Sequence, residues 1–288
     1  MEPWKLVVIM FFCLVVRAWF TIGTTPYLDD YLVIQLGQTI FNFSLVGFAC
    51  LQFRLNRAKL QVILGDFDRS ALLFGVSLGA ILFMFTLGQS AVTTWVVAQY
   101  DLEMAYRVCN FHAEQYGSHP FFSVHVLIFI IASVLLPAIC EEIFFRGLFF
   151  PALANKRTYL RSALICSSVF AMLHFQSLFN VLNSCIFSLI ACGIYASGRS
   201  LYYCIVTHAI YNFVAFIIQH YFDFHRTRTI DQLSTVGDWI PQLTMFGISI
   251  GCLIVLGLRH LPRRTFWTRD PLRRVNFHAA HIYGSASR

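Results

Sequence analysis

Eight stretches of this chain are long enough and apolar enough to cross a bilayer, and they leave few folds open. A helix needs about 20 apolar residues to span the hydrocarbon core. The candidate spans cover residues 5–25, 31–53, 71–98, 121–139, 159–177, 179–197, 201–221 and 240–258. The fourth continues into, or breaks before, a further helix at 140–155. These runs are continuously apolar rather than alternating, which excludes β-barrel strands. Of the 288 residues, 58% are hydrophobic and only 12% are charged. An ordinary soluble domain is about 25% charged, so there are too few polar residues here to clothe a soluble particle. The mean hydropathy of +0.66 agrees. Disordered, collagen-like and coiled-coil chains fail on the same composition. The expected fold is all-α, a polytopic membrane helix bundle of about eight transmembrane helices, with no internal repeat.

Charge sets the expected topology. With the N-terminus in the cytoplasm and eight spans threaded, 17 of the 21 Lys and Arg residues fall in cytoplasmic segments and three, Arg107, Arg226 and Arg228, on the far side. The remaining one, Arg17, interrupts the first span. This is the bias of the positive-inside rule, so both termini are expected in the cytoplasm. The first span lacks a small-x-small cleavage site and reads as a retained helix rather than a signal peptide. Seven arginines between Arg259 and Arg288 face one acid, Asp270. Directly after an apolar span, such a tail reads as an anchor on anionic lipid rather than a nucleic-acid site. The nine cysteines show no CxxC or zinc-like spacing and mostly sit in apolar runs as packing residues, Cys109 excepted. Expected regions are 1–120, the N-terminal helices; 121–222, the catalytic helices; and 223–288, the last span and basic tail.

Twelve of the fourteen acids lie in loops, at termini or at span ends. The exceptions are Glu141 and Glu142 in LLPAICEEIFFRGLFFPAL. A carboxylate at the bilayer centre costs about 3 kcal/mol on insertion scales, so these two must face a cavity, pair with cations or hold protons. Arg146 follows Glu142 by four residues and shares its helical face, so the two can pair. Glu141 points about 100° away and is left free. A buried ion pair that only fixes packing would explain Glu142 and Arg146, but not Glu141. His174 ends the run SSVFAMLHF, and His208 lies in YCIVTHAIYNF with Asn212 one turn later. In hydrocarbon each of these polar groups needs a hydrogen-bond partner. His125 has no such companion and reads as a packing histidine.

Two chemistries fit a Glu, two His and an Asn from three helices. Glu141 and His174 can polarise a water that attacks a carbonyl, with His208 and Asn212 donating to the oxyanion. Alternatively Glu141, His174 and His208 hold a divalent metal such as zinc that activates the water. No HExxH and no GxSxG occurs, which speaks against the usual zinc-protease and serine-nucleophile arrangements.

The three motifs resemble those of the CAAX protease and bacteriocin-processing family, also called CPBP or Abi. EEIFFR (Glu141, Glu142, Arg146) matches its EExxxR, FAMLH (Phe170 to His174) its FxxxH, and HAIYN (His208 to Asn212) its HxxxN. Their order fits across residues 120–220. The resemblance implies an intramembrane endopeptidase similar to the type II CAAX prenyl endopeptidase. It further implies that Glu141 and His174 activate water, that His208 and Asn212 stabilise the oxyanion, and that Glu142 and Arg146 support them. No cofactor is required by that mechanism, although family members are often labelled metalloproteases. His174 is followed by FQSLFN where eukaryotic members tend to carry further histidine and acid, and ASGRSL before the seventh span looks more like bacterial members.

The expected function is hydrolysis of a peptide bond in a membrane-associated protein or peptide, prenylated or not, near the cytoplasmic face. The expected partners are that substrate and anionic lipid at the tail, with no nucleic acid. The expected membrane is the plasma or inner membrane of a bacterium or the endoplasmic reticulum of a eukaryote. The competing readings are a proton-coupled transporter, and a non-catalytic scaffold or immunity protein that keeps the motif residues as a polar core. Glu141 is placed at the inner end of the fourth span and His174 toward the far end of the fifth. That separates them unless the 140–155 helix turns back into the bilayer at Pro137 or Pro151.

Overall fold

The computed structural model describes residues 2–25, 27, 30–67, 69–110, 122–155, 157–174, 178–197, 200–221 and 229–260. The last six tail arginines, together with Lys156, Arg199, Arg226 and Arg228, lie outside them, and so do the tail's expected lipid contacts. Within the described residues the chain is helical, without strands. The helices are α1 (Pro3–Thr24), α2 (Asp30–Phe53), α3 (Arg57–Leu64), α4 (Arg69–Ala98), α5 (Leu102–Asn110), α6 (Val124–Ala154), α7 (Tyr159–Met172), α8 (Leu178–Ala196), α9 (Leu201–Tyr221), α10 (Ile230–Ser234) and α11 (Ile240–His260). Six of them, α1, α2, α4, α6, α9 and α11, contain stretches long and apolar enough to cross a membrane. The other two expected spans, α7 and α8, are present as shorter apolar helices.

The fourth span differs from expectation. Val124–Ala154 is one unbroken helical run, so 140–155 is not a separate helix folded back on the first part. Both prolines lie inside it, each just after a π-helical stretch: Pro137 follows Ile130–Leu135, and Pro151 follows Ile143–Phe149. A proline ring crowds the carbonyl four residues earlier and offers it no N–H. A wider turn ahead of the ring accommodates it, so the chain passes through without stopping.

This continuity removes the separation between Glu141 and His174. Glu141 lies thirteen residues before Ala154, about 20 Å along the axis. The fifth span ends early: α7 has 14 residues, and His174 stands just past its end, about 20 Å from Tyr159. Tyr159 packs against Phe150 with ring centroids 4.9 Å apart, so α6 and α7 start their antiparallel course side by side. Glu141 and His174 therefore reach the same depth from the same end of the bundle.

The core is a cluster of aromatic and aliphatic side chains contributed by α1, α2, α4, α6, α7, α8 and α9. At the opposite end, the connections after α4 and before α11 carry the short helices α5 and α10. These pack with the ends of α4 and α11 around buried Leu233 and Trp239. Trp95 Nε1 donates to the Ser234 carbonyl there (3.1 Å).

Helix α4 seats α9 through two glycines. A Cβ at Gly75 would lie 2.5 Å from Val206, and one at Gly79 would lie 2.9 Å from Ile210. The absence of both lets the α9 backbone approach α4, and Val206 and Ile210 flank His208. Overpacking such a contact costs about 1–3 kcal/mol, so Gly79→Val should lower the unfolding midpoint in detergent clearly more than a substitution at Gly247, where a Cβ meets open space.

Candidate active site

Three helices supply the motif residues. Helix α6 carries Glu141, Glu142 and Arg146; α7 carries Phe170 and leads to His174; α9 carries His208 and Asn212. Glu142, Arg146, Glu141 and His208 are buried, while His174 and Asn212 are half-buried.

Glu142 is the centre of the arrangement. Its Oε1 accepts from Arg146 Nη1 at 2.9 Å and from His208 Nδ1, also at 2.9 Å. The first contact is the one-turn pair that helical spacing predicts. The second ties α6 to α9 across 66 residues of sequence. Both Arg146 and Glu142 are wholly inaccessible to solvent. The guanidinium is not satisfied by hydrogen bonds alone, because Nε and Nη2 find no partner. Two ring faces take their place: the guanidinium carbon stands 4.6 Å from the Phe170 centroid and 5.8 Å from that of Phe187. A weakly hydrated planar cation suits that stacking.

The histidine tautomers follow from their partners. His174 Nδ1 donates to the Phe170 carbonyl at 3.0 Å. A carbonyl only accepts, so Nδ1 carries the proton and Nε2 is the free nitrogen of the neutral ring. The ring also lies over Phe170, with centroids 4.7 Å apart. His208 gives Nδ1 to the Glu142 carboxylate, which fixes the ring and leaves Nε2 for a second partner. Phe187 packs on it at 4.8 Å.

Asn212 is held by a carbonyl that Pro137 opens. Pro137 stands four residues after Ser133 and has no N–H to offer it. Asn212 Nδ2 donates to the Ser133 carbonyl at 3.3 Å, which orients the amide and leaves the second N–H available. Ser133 Oγ in turn donates to Gln35 Oε1 of α2 at 2.6 Å.

Glu141 is 3% exposed, and Oε2 of both adjacent carboxylates is buried without a hydrogen-bond partner. The two differ at Oε1: that of Glu142 takes two donors, whereas Glu141 lies only within electrostatic range of His174, which is in turn within range of His208. The site thus contains one carboxylate engaged at one oxygen and one carboxylate left uncommitted within range of an imidazole. Such a pair can hold and deprotonate a water.

Bonds, ring contacts and electrostatic range link six of the seven motif residues, Asn212 standing one turn beyond His208 on α9, and His125 lies sixteen residues before Glu141, about 24 Å along α6. Among the described residues no three His, Cys, Asp or Glu side chains gather around a common point. Phe187, Ser133, Pro137 and Gln35 escape a reading of motifs. Phe187 is one of 30 phenylalanines and nothing in its flanks marks it. The Ser133–Pro137 spacing is the one signal that a carbonyl would be open near the acids.

Residues 123–214 match the family model for the type II CAAX prenyl endopeptidase Rce1-like domain. All seven motif residues fall inside the match, and the segment belongs to the CAAX protease family that the motifs resemble. No curated protein and no solved structure matches the chain.

Removing one partner of a buried ion pair leaves an uncompensated charge and costs about 3–5 kcal/mol. Arg146→Leu should therefore unfold at a much lower temperature in detergent. Arg146→Lys keeps the charge but loses the stacking on Phe170 and Phe187, and should fall between that variant and the parent.

Proposed function

We propose that this Rce1-like chain is an intramembrane endopeptidase in which Glu141 and His174 activate a water and His208 and Asn212 bind the oxyanion. The observation that carries the reading is the division of labour between the adjacent carboxylates. Glu142 Oε1 is engaged by Arg146 and His208, while Glu141, buried beside it, takes part in no such ion pair among the described residues.

In the proposed reaction, water bridges Glu141 and the free Nε2 of His174. Glu141 takes a proton as the water oxygen bonds to the scissile carbonyl carbon. The carbonyl oxygen becomes an oxyanion that accepts from Nε2–H of His208 and the second N–H of Asn212. Collapse breaks the C–N bond, and the proton passes from Glu141 to the leaving amine. Glu142 aims His208, as a carboxylate does for a catalytic imidazole. No step calls on a metal.

The proposed substrate is a membrane-associated protein or peptide, with a prenylated CAAX terminus as the first candidate because of the family match. The cation bias puts both termini in the cytoplasm. On that threading the water site lies about 20 Å from the cytoplasmic ends of α6 and α7, deeper than a site at the membrane face. The basic tail would rest on anionic lipid.

The test is cleavage of a farnesylated CAAX peptide and an unprenylated control by the purified chain, with and without chelator. Cleavage that survives the chelator supports the metal-free route. Loss of a general base costs about 10²- to 10⁴-fold in rate, so Glu141→Gln should lower turnover by at least that lower figure while the protein still folds. Asn212→Ala should cost about 10²- to 10³-fold. Undiminished turnover in the Glu141→Gln variant would end the reading and favour a non-catalytic polar core.

A further inference from the structure

One cation in the membrane interior has no place in the site described so far. Arg17 lies in the middle of α1, fourteen residues from Pro3, and α1 carries no acid. It is half-buried. Among the described residues the carboxylate within its electrostatic range is Glu141, on a helix that packs against α2, the neighbour of α1.

The route across α2 is open at Gly37. A Cβ built there would sit 3.8 Å from Arg17 Cγ, 4.0 Å from Arg17 Nε and 3.1 Å from Thr21 Oγ1. The arginine stem therefore lies along the bare glycine, and a larger side chain at that position would stand in its path. Helix α2 packs on α6 at the level of the site, where Gln35 accepts from Ser133. Depths agree as well. Arg17 is about 21 Å from the start of α1, Gly37 about 24 Å from the end of α2 at Phe53, and Glu141 about 20 Å from the end of α6.

We propose that Arg17 is the counter-ion of Glu141, reaching over Gly37 to match the carboxylate that Arg146 does not serve. The proposal rests on Glu141 being the working base for its meaning, but not for its test. It turns two adjacent acids in an apolar bundle into two matched pairs, Glu142 with Arg146 and Glu141 with Arg17. It makes Arg17 a positioning residue: its charge balances that of Glu141, while the absence of a close salt bridge leaves Oε2 unoccupied. The other charged or titratable groups around Glu141 are His174 from α7 and Cys140, Glu142 and Arg146 on its own helix, with His208 of α9 behind Glu142. None of them supplies a second uncommitted cation.

A double-mutant cycle on the full chain in detergent tests this without any need for cleavage. Arg17→Leu should lower the unfolding midpoint by several degrees, and adding Glu141→Gln should restore most of that loss. If Arg17→Leu fails to fold while the double variant folds, the result is the same in stronger form. Additive effects, or failure of both, would overturn the pairing. Where the peptide is cleaved, Arg17→Leu should lower kcat several-fold with KM little changed, and Arg17→Lys should restore it. An unchanged kcat in Arg17→Leu would overturn the positioning role. A coupled cycle in a chain that never cleaves the peptide would sink the protease reading and leave the ion pair standing.

Discussion

A single carboxylate oxygen, Glu142 Oε1, receives both Arg146 and His208, and the geometry of the site depends on it. Taking a carboxylate and a guanidinium out of water is costly, and the attraction between them offsets the cost only when geometry is good and the leftover donors are satisfied. Here the leftover donors of Arg146 face Phe170 and Phe187 in place of hydrogen-bond acceptors. Phe170 is therefore more than filler. It covers the cation, carries the carbonyl that fixes His174 and lies under the His174 ring. The FxxxH and EExxxR segments are coupled through that one side chain.

The prolines of α6 explain a second layer. In a soluble helix a mid-helix proline suggests a break, and a break near Pro137 or Pro151 is what the sequence expectation held. In α6 the π-helical stretches ahead of each ring take up the strain. The carbonyl released by Pro137 is bound by Asn212, which pins α9 to α6 about 12 Å along the axis from Glu141. A backbone group left open in hydrocarbon must find a donor, and the donor found is the Asn212 side chain.

The legible and illegible parts divide by range. The apolar runs, the Glu142–Arg146 turn and the shared face of His208 and Asn212 are local properties, set by bilayer thickness and helical period. They can be read from residues a few positions apart. The inner end of the fourth span could not be read this way, because it depended on whether a wide turn would absorb a proline. Nor could the bond from His208 to Glu142, the ring of Phe187 on Arg146, or the path of Arg17 over Gly37. Each joins helices far apart in sequence, and each involves a residue type that is common in any membrane helix. Arg17 is visible in the sequence as an interruption of the first span; what it faces is not.

The family match covers 123–214, yet that segment does not set its own geometry. Gln35 of α2 takes the hydroxyl of Ser133, whose carbonyl orients Asn212. Gly75 and Gly79 of α4 admit the α9 backbone on either side of His208. A polar constellation in an apolar bundle has no water to adjust it, so every donor must be placed by packing, and here much of that packing comes from outside the match.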